Sequence, residues 1–186
     1  MKLLYDLGRW TYTKGLSKFA IPLVILAFPA TWAVIIYRYG NSIIHIKTKA
    51  IRILLFPTYF VLKRLTELLT SIQISERAEI EKGLYIAHMG CIVIGSHARI
   101  GKNFSIRQGV TVGGSGRGDK YGYPSIGDNV FVGAGAKIIG KINIGNHCAI
   151  GANAVVTKGL PDYSVAVGVP AKIISNNGSY GIFVRE

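Results

Sequence analysis

The chain has 186 residues, with 22 Lys and Arg against 9 Asp and Glu, a net charge of +13, and 49% hydrophobic residues. That length suits one domain with an appendage. The two cysteines, Cys91 and Cys148, form no CxxC pair and exclude a disulfide framework; the charge comes without an RNA- or DNA-binding signature, so nucleic acid is not an expected partner.

The positive charge is concentrated at the front. Residues 1–72 hold ten Lys and Arg but only two acids, Asp6 and Glu67. Such a basic, apolar half reads as an element that lies on the cytoplasmic leaflet of a membrane. Arg9, Trp10, Tyr12, Lys14 and Lys18 suit a membrane interface. From Phe19 to Tyr37 no charge occurs, nearly enough to cross a bilayer, although Pro22 and Pro29 interrupt the run. Three readings of 19–37 stay open: a transmembrane helix, an interfacial helix or hairpin, and a helix buried in a trimer. A second apolar and basic segment, Ile43 to Leu69, is expected as two helices broken at Pro57. Its plain role is to cap the open lower end of the domain that follows, where strand edges would otherwise be unpaired.

From residue 73 to 174 the pattern changes. Ile126, Val132, Ile138, Ile144, Ile150 and Val156 stand six apart, and Gly127, Gly133, Gly145 and Gly151 directly follow four of them. Val130, Ala136, Ile142, Cys148 and Ala154 stand four places after the first five. A period of six fits neither a helix nor an alternating strand; it is that of a hexapeptide β-solenoid, three hexads to a triangular coil. Ile74, Ile80 and Ile86 keep the step, which then slips to eight at His88-Met89-Gly90-Cys91 before Ile94, Ile100, Ile106 and Val112. A second break, the basic and glycine-rich loop 113–125, separates Val112 from Ile126. Breaks in a regular solenoid are where function is expected. The tail 175–186 is polar with one apolar patch and carries no functional signal.

Several motifs, in this order, resemble the hexapeptide-repeat acyltransferases. They are Ile86-Ala87-His88-Met89-Gly90 before Ile92-Val93-Ile94-Gly95, then Gln108-Gly109-Val110-Thr111-Val112-Gly113-Gly114. Val132-Gly133-Ala134-Gly135-Ala136-Lys137-Ile138, Ile150-Gly151-Ala152 and Val167-Gly168-Val169-Pro170-Ala171-Lys172 follow. Within that family the chain resembles serine O-acetyltransferases and the acetyltransferases of exopolysaccharide loci. The resemblance implies a left-handed parallel β-helix, against the usual right-handed crossover. It also implies a homotrimer with active sites between subunits and acetyl-CoA as cosubstrate. His88 matches the general base, which would take the acceptor's hydroxyl proton. Backbone N–H groups of loop 113–125 are natural donors to the oxyanion. Gly114, Ser115, Ala134 and Ala152 match positions along the CoA arm. Arg117, Lys120, Lys158 and Lys172 are candidates for its phosphates by charge.

Departures from the serine acetyltransferase pattern bear on the acceptor. The acid before the catalytic histidine is Ala87 here, and the Arg-His-Pro that ends the insertion is Gly122-Tyr123-Pro124. The acid that orients the histidine matches Gln73, whose amide would fix a tautomer but stabilise the imidazolium less; Glu76, Glu79 or Glu81 could stand in for it. With both charged clamps missing, and with Tyr123 offering an aromatic face, a sugar hydroxyl is the expected acceptor. The expected enzyme is thus a membrane-attached cytoplasmic O-acetyltransferase acting on exopolysaccharide, capsule or a lipid-linked glycan. The alternatives are a serine O-acetyltransferase and a non-catalytic solenoid scaffold. Some hexapeptide solenoids hold zinc, but His97 and His147 fall on separate coils and no third ligand joins them, so no metal is expected.

Overall fold

The computed structural model describes residues 2–182. Four helices come first: α1 (Lys2–Thr13), α2 (Ile21–Ala27), α3 (Ala30–Ile44) and α4 (Lys49–Thr70). A parallel β-solenoid of about five turns follows, the left-handed β-helix of hexapeptide repeats.

The first face stacks Ile72–Ile74, Ile92–Ile94, Thr111–Gly113, Lys137–Ile139 and Val155–Val156. The second stacks Glu79–Ile80, Arg99–Ile100, Ser125–Ile126 and Asn143–Ile144. The third stacks Tyr85–Ile86, Ser105–Ile106, Phe131–Val132, Ala149–Ile150 and Val165–Val167, and is closed by an antiparallel Lys172–Ser175. The six-step aliphatics fill the prism: Ile74, Ile94, Val112, Ile138 and Val156 are buried from the first face and Ile86, Ile106, Val132 and Ile150 from the third. Ala136, Cys148 and Ala154 fill the corners completely buried, and burial pushes the Cys148 thiol pKa up.

Both breaks are insertions in this winding. Val93 pairs with Thr111 and Lys137 with Val155, coils of 18 residues. Ile72 pairs with Ile92, a coil of 20, and Thr111 with Lys137, a coil of 26. The two extra residues fall around His88–Cys91. The eight extra fall in the loop, folded on itself by the Ser115–Gly122 bridge.

The helices close the solenoid's lower end. Tyr37 donates to the Ala78 carbonyl (2.8 Å) and accepts from the Ile80 N–H (3.2 Å); burial pushes its hydroxyl pKa up to about 12. Arg38 donates to the Ile80 and Glu81 carbonyls and, at 2.8 Å, to Asp6, which accepts from the Gly83 and Leu84 N–H groups. Side chains thus meet an edge that would otherwise offer bare backbone groups. The capping residues come from α1 and α3, with α4 adding Tyr59 and Lys63 on Glu76.

One expectation for the helical half is corrected, and the open readings of 19–37 are narrowed. Pro57 does not divide 43–69: α4 runs unbroken through it. The ring removes the bond to the Ile53 carbonyl, and both residues are exposed, so water can satisfy that oxygen. Nor is 19–37 a straight span. It bends by 103° between α2 and α3, and among the described residues no single helix is long and apolar enough to cross a membrane. Ala30, Ala33, Val34 and Tyr37 of α3 are buried in the core instead.

The tail folds back along the edge between the second and third faces. Gly178 N–H reaches the Tyr163 carbonyl, and Ser179 binds the His147 and Asn129 carbonyls. His147 stacks on Tyr163 (5.0 Å) and Tyr180 (5.2 Å), whose rings lie 6.0 Å from each other. Residues 183–186 of the expected tail lie outside the described residues.

Candidate active site

Most residues singled out from sequence lie on two edges of the first face. Where the chain passes from the third face to the first, the turns stack into a column. Gly109 N–H bonds the Gly90 carbonyl, Gly135 the Gln108 carbonyl and Asn153 the Ala134 carbonyl, each at 2.8 Å. His88, Ala134 and Ala152 belong to this edge. Where the chain leaves the first face for the second stand Gly95, Gly114, Ser115, Tyr123 and Lys158, with Arg117 and Lys120 out on the loop. Lys172 pairs with Val167 at the top of the third face. The edges are separated by a face three residues wide, about 10 Å, so one subunit does not bring His88 and Tyr123 together.

His88 is exposed at the mouth of a cavity of about 210 Å³. Ala87, Tyr85 and Phe131 of the third face line it, with Arg107 from the next coil and Thr13 and Lys14 from the end of α1. Helix α1 is fixed there by Trp10, whose ring lies 5.0 Å from that of Tyr85, and by Arg9, which donates to the Gly83 carbonyl and to Ser105 Oγ. An exposed imidazole at a cavity mouth is accessible to a hydroxyl, as a general base requires. The sequence reading did not single out Thr13, Arg107 and Phe131 for this site, and placed Lys14 only among interfacial cations. No motif marks them, because α1 reaches His88 only after docking.

Gln73 is exposed on the lowest strand of the first face, and among the described residues no hydrogen bond joins it to His88. The carboxylates named as substitutes are engaged elsewhere: Glu76 by Tyr59 and Lys63, Glu79 by Arg99 at 3.3 Å, and Glu81 by Lys2 at 3.0 Å. None is bonded to His88, which corrects that expectation.

At the other edge Tyr123 packs over two glycines. A Cβ on Gly95 would come within 2.4 Å of its ring, and one on Gly114 within 2.8 Å. Its ring lies 5.3 Å from that of His97 and 5.9 Å from that of Tyr121. Hydrogen bonds from Tyr121 and Ser96 hold its hydroxyl pKa below the usual range. His97 and His147 lie on different edges, and among the described residues no group of three His, Cys, Asp or Glu could hold a metal ion.

Comparison with known proteins sets this geometry in a family. The bacterial transferase hexapeptide (six repeats) family matches residues 123–158. The serine acetyltransferase of Staphylococcus xylosus is 43% identical over 118 residues, 63% of this chain and 55% of that enzyme; the chain thus spans about half the length of the curated relatives it matches. Among solved structures, serine acetyltransferase from Brucella abortus superposes with a TM-score of 0.77 at 31% identity, covering 95% of this chain and 68% of that one. The Neisseria gonorrhoeae enzyme in complex with serine gives 0.75 at 31%, covering 93% and 67%. These findings overturn the expectation of a sugar acceptor in exopolysaccharide, capsule or a lipid-linked glycan. That expectation rested on local departures at Ala87 and at Gly122-Tyr123, whereas the likeness to serine acetyltransferases extends over most of the chain. The chain belongs to the hexapeptide-repeat acyltransferases, and the relatives it matches within them are serine acetyltransferases.

Proposed function

We propose that the protein transfers the acetyl group of acetyl-CoA to the hydroxyl of serine. The observation that carries the reading is His88, exposed at a cavity where the winding gains two residues; the serine acetyltransferase relatives support it. In the reaction the His88 imidazole takes the hydroxyl proton as the oxygen attacks the thioester carbonyl. The tetrahedral intermediate then expels the CoA thiolate, which recovers that proton from the imidazolium. N–H groups of loop 113–125 face the oxyanion.

The site is completed by a second copy. Three subunits packed in a ring bring the His88 edge of one against the Tyr123 edge of the next, so Ala134 and Ala152 face Gly114 and Ser115 along the CoA arm. Arg117, Lys120, Lys158 and Lys172 supply charge for its phosphates. Release of free thiol from acetyl-CoA with L-serine tests the reading. Serine-dependent turnover is expected, and acetyl-CoA consumption indifferent to serine would overturn it.

The helical half carries a location as well. Helix α4 exposes Leu54, Val61, Leu65, Leu68 and Leu69, at 51–79% exposure. Lys47, Lys49, Arg52 and Arg64 are exposed around it, while Asp6 is buried and Glu67 is mostly covered. An apolar helix with only positive exposed charge fits the surface of an anionic bilayer. Co-sedimentation with phosphatidylglycerol vesicles that salt and Leu65→Glu both weaken is expected; association of trimers through α4 without lipid binding would replace this reading.

A further inference from the structure

The cavity beside His88 has a charge that the transfer step does not use. Lys14 and Arg107 line it, and no carboxylate does among the described residues. Both cations are held by the fold. Gly15, at φ +66°, ends α1, with Lys14 N–H on the Trp10 carbonyl and Leu16 N–H on the Thr11 carbonyl. The Lys14 ammonium lies 4.9 Å from the centre of the Phe28 ring. Arg107 directly follows the buried Ile106 and is half-buried, its guanidinium 5.6 Å from the centre of the Phe131 ring. Arg9, bonded to Ser105 Oγ at 3.0 Å, adds positive potential behind the wall. A small cavity lined by two cations and no acid attracts an anionic group.

We propose that this cavity is a carboxylate subsite: Lys14 and Arg107 hold the carboxylate of a small hydroxy acid whose hydroxyl is presented to His88. The inference rests on the proposed function and deepens it. Serine would be held by its carboxylate from helix α1 and the second coil of the same subunit, with Ala87 leaving room beside the base. An Arg–carboxylate pair supplies geometry as well as charge, and the lysine acts as a point charge.

Binding to the full-length protein is followed through the His88 imidazole NMR signals, and turnover through thiol release. The probes are L-serine, L-serine methyl ester, which lacks the carboxylate, and 3-hydroxypropanoate, which lacks the ammonium. The two carboxylates are expected to bind at least about tenfold more tightly than the ester, the scale of a hydrogen bond to a charged group. Lys14→Ala and Arg107→Ala should each raise Kd for both carboxylates about tenfold, leave the ester unmoved and keep the oligomeric state. Arg107→Lys should recover part of the loss. If 3-hydroxypropanoate binds through Lys14 and Arg107 while serine is not turned over, the serine reading fails and the subsite stands. If serine is turned over with a KM untouched by either variant, the subsite is wrong and the serine reading stands. No carboxylate preference in the wild type overturns the subsite.

Discussion

His88 gains its setting from a miscount in the winding. An 18-residue coil keeps every turn residue in its column, while the first coil, 20 residues from Ile72 to Ile92, lifts 88–91 out of register. Cys91 takes a left-handed φ of +50° at the same place, a conformation that non-glycine residues adopt sparingly. The side chain is therefore exposed and not part of the inward aliphatic column, and its removal leaves the prism filled. His88→Ala should lower kcat by about 10²–10⁴-fold, the usual worth of a positioned acid–base group, with an unchanged melting temperature. A variant that loses its fold would make His88 structural. His147 shows the contrast: it is one of three mutually stacked rings with Tyr163 and Tyr180, and packing accounts for it.

At the scale of elements, the cavity beside His88 depends on how the helices grip the solenoid. Asp6 and Arg38 form a buried pair that also satisfies backbone groups from Ile80 to Leu84. That grip sets where α1 ends and hence where Lys14 stands. Helix α4 packs on α3 and meets the solenoid through Tyr59 and Lys63 on Glu76. Burial pushes the Glu76 pKa up, but the hydrogen bonds from Lys63 and Tyr59 outweigh it and leave the carboxyl below its usual value. A depressed carboxylate stabilises the folded state above its unfolded pKa and loses that contribution as pH falls through the folded one. Protection of the α4 amides, taken relative to the intrinsic exchange rate at each pH, should therefore fall below about pH 4, near the ordinary glutamate pKa, before that of the solenoid strands falls. Glu76→Gln should show the faster α4 exchange already at pH 7. Equal protection of α4 in both proteins at both pH values would deny Glu76 that role.

For the whole molecule, the division of the candidate residues between two edges is the main consequence. In the proposed trimer unlike edges meet, so each site would take His88 from one subunit and the Tyr123 edge from its neighbour. Inactive His88→Ala and inactive Tyr123→Ala proteins, unfolded together and refolded as mixed trimers, should recover activity at about a quarter of the sites, the share with both edges intact in a random three-membered ring. No recovery in verified mixed trimers would place the whole site within one subunit.

The repeat was legible in the sequence because its rule is local. Each hexad must put an aliphatic inward and permit a turn, so Ile126 to Val156 announce the coil and the slips at His88 and at loop 113–125 mark where it is interrupted. The helices were legible as apolar and basic but not in their breaks. Whether Pro57 ends a helix, or 19–37 runs straight, depends on which carbonyls reach water and which side chains find the core. Only the tertiary structure brought Lys14 to Arg107 and His88, because 93 residues separate the two cations and docking of α1 alone closes that distance. It alone also placed His88 and Tyr123 on opposite edges, since a period of six gives the position along a coil but not which coil edge another copy covers.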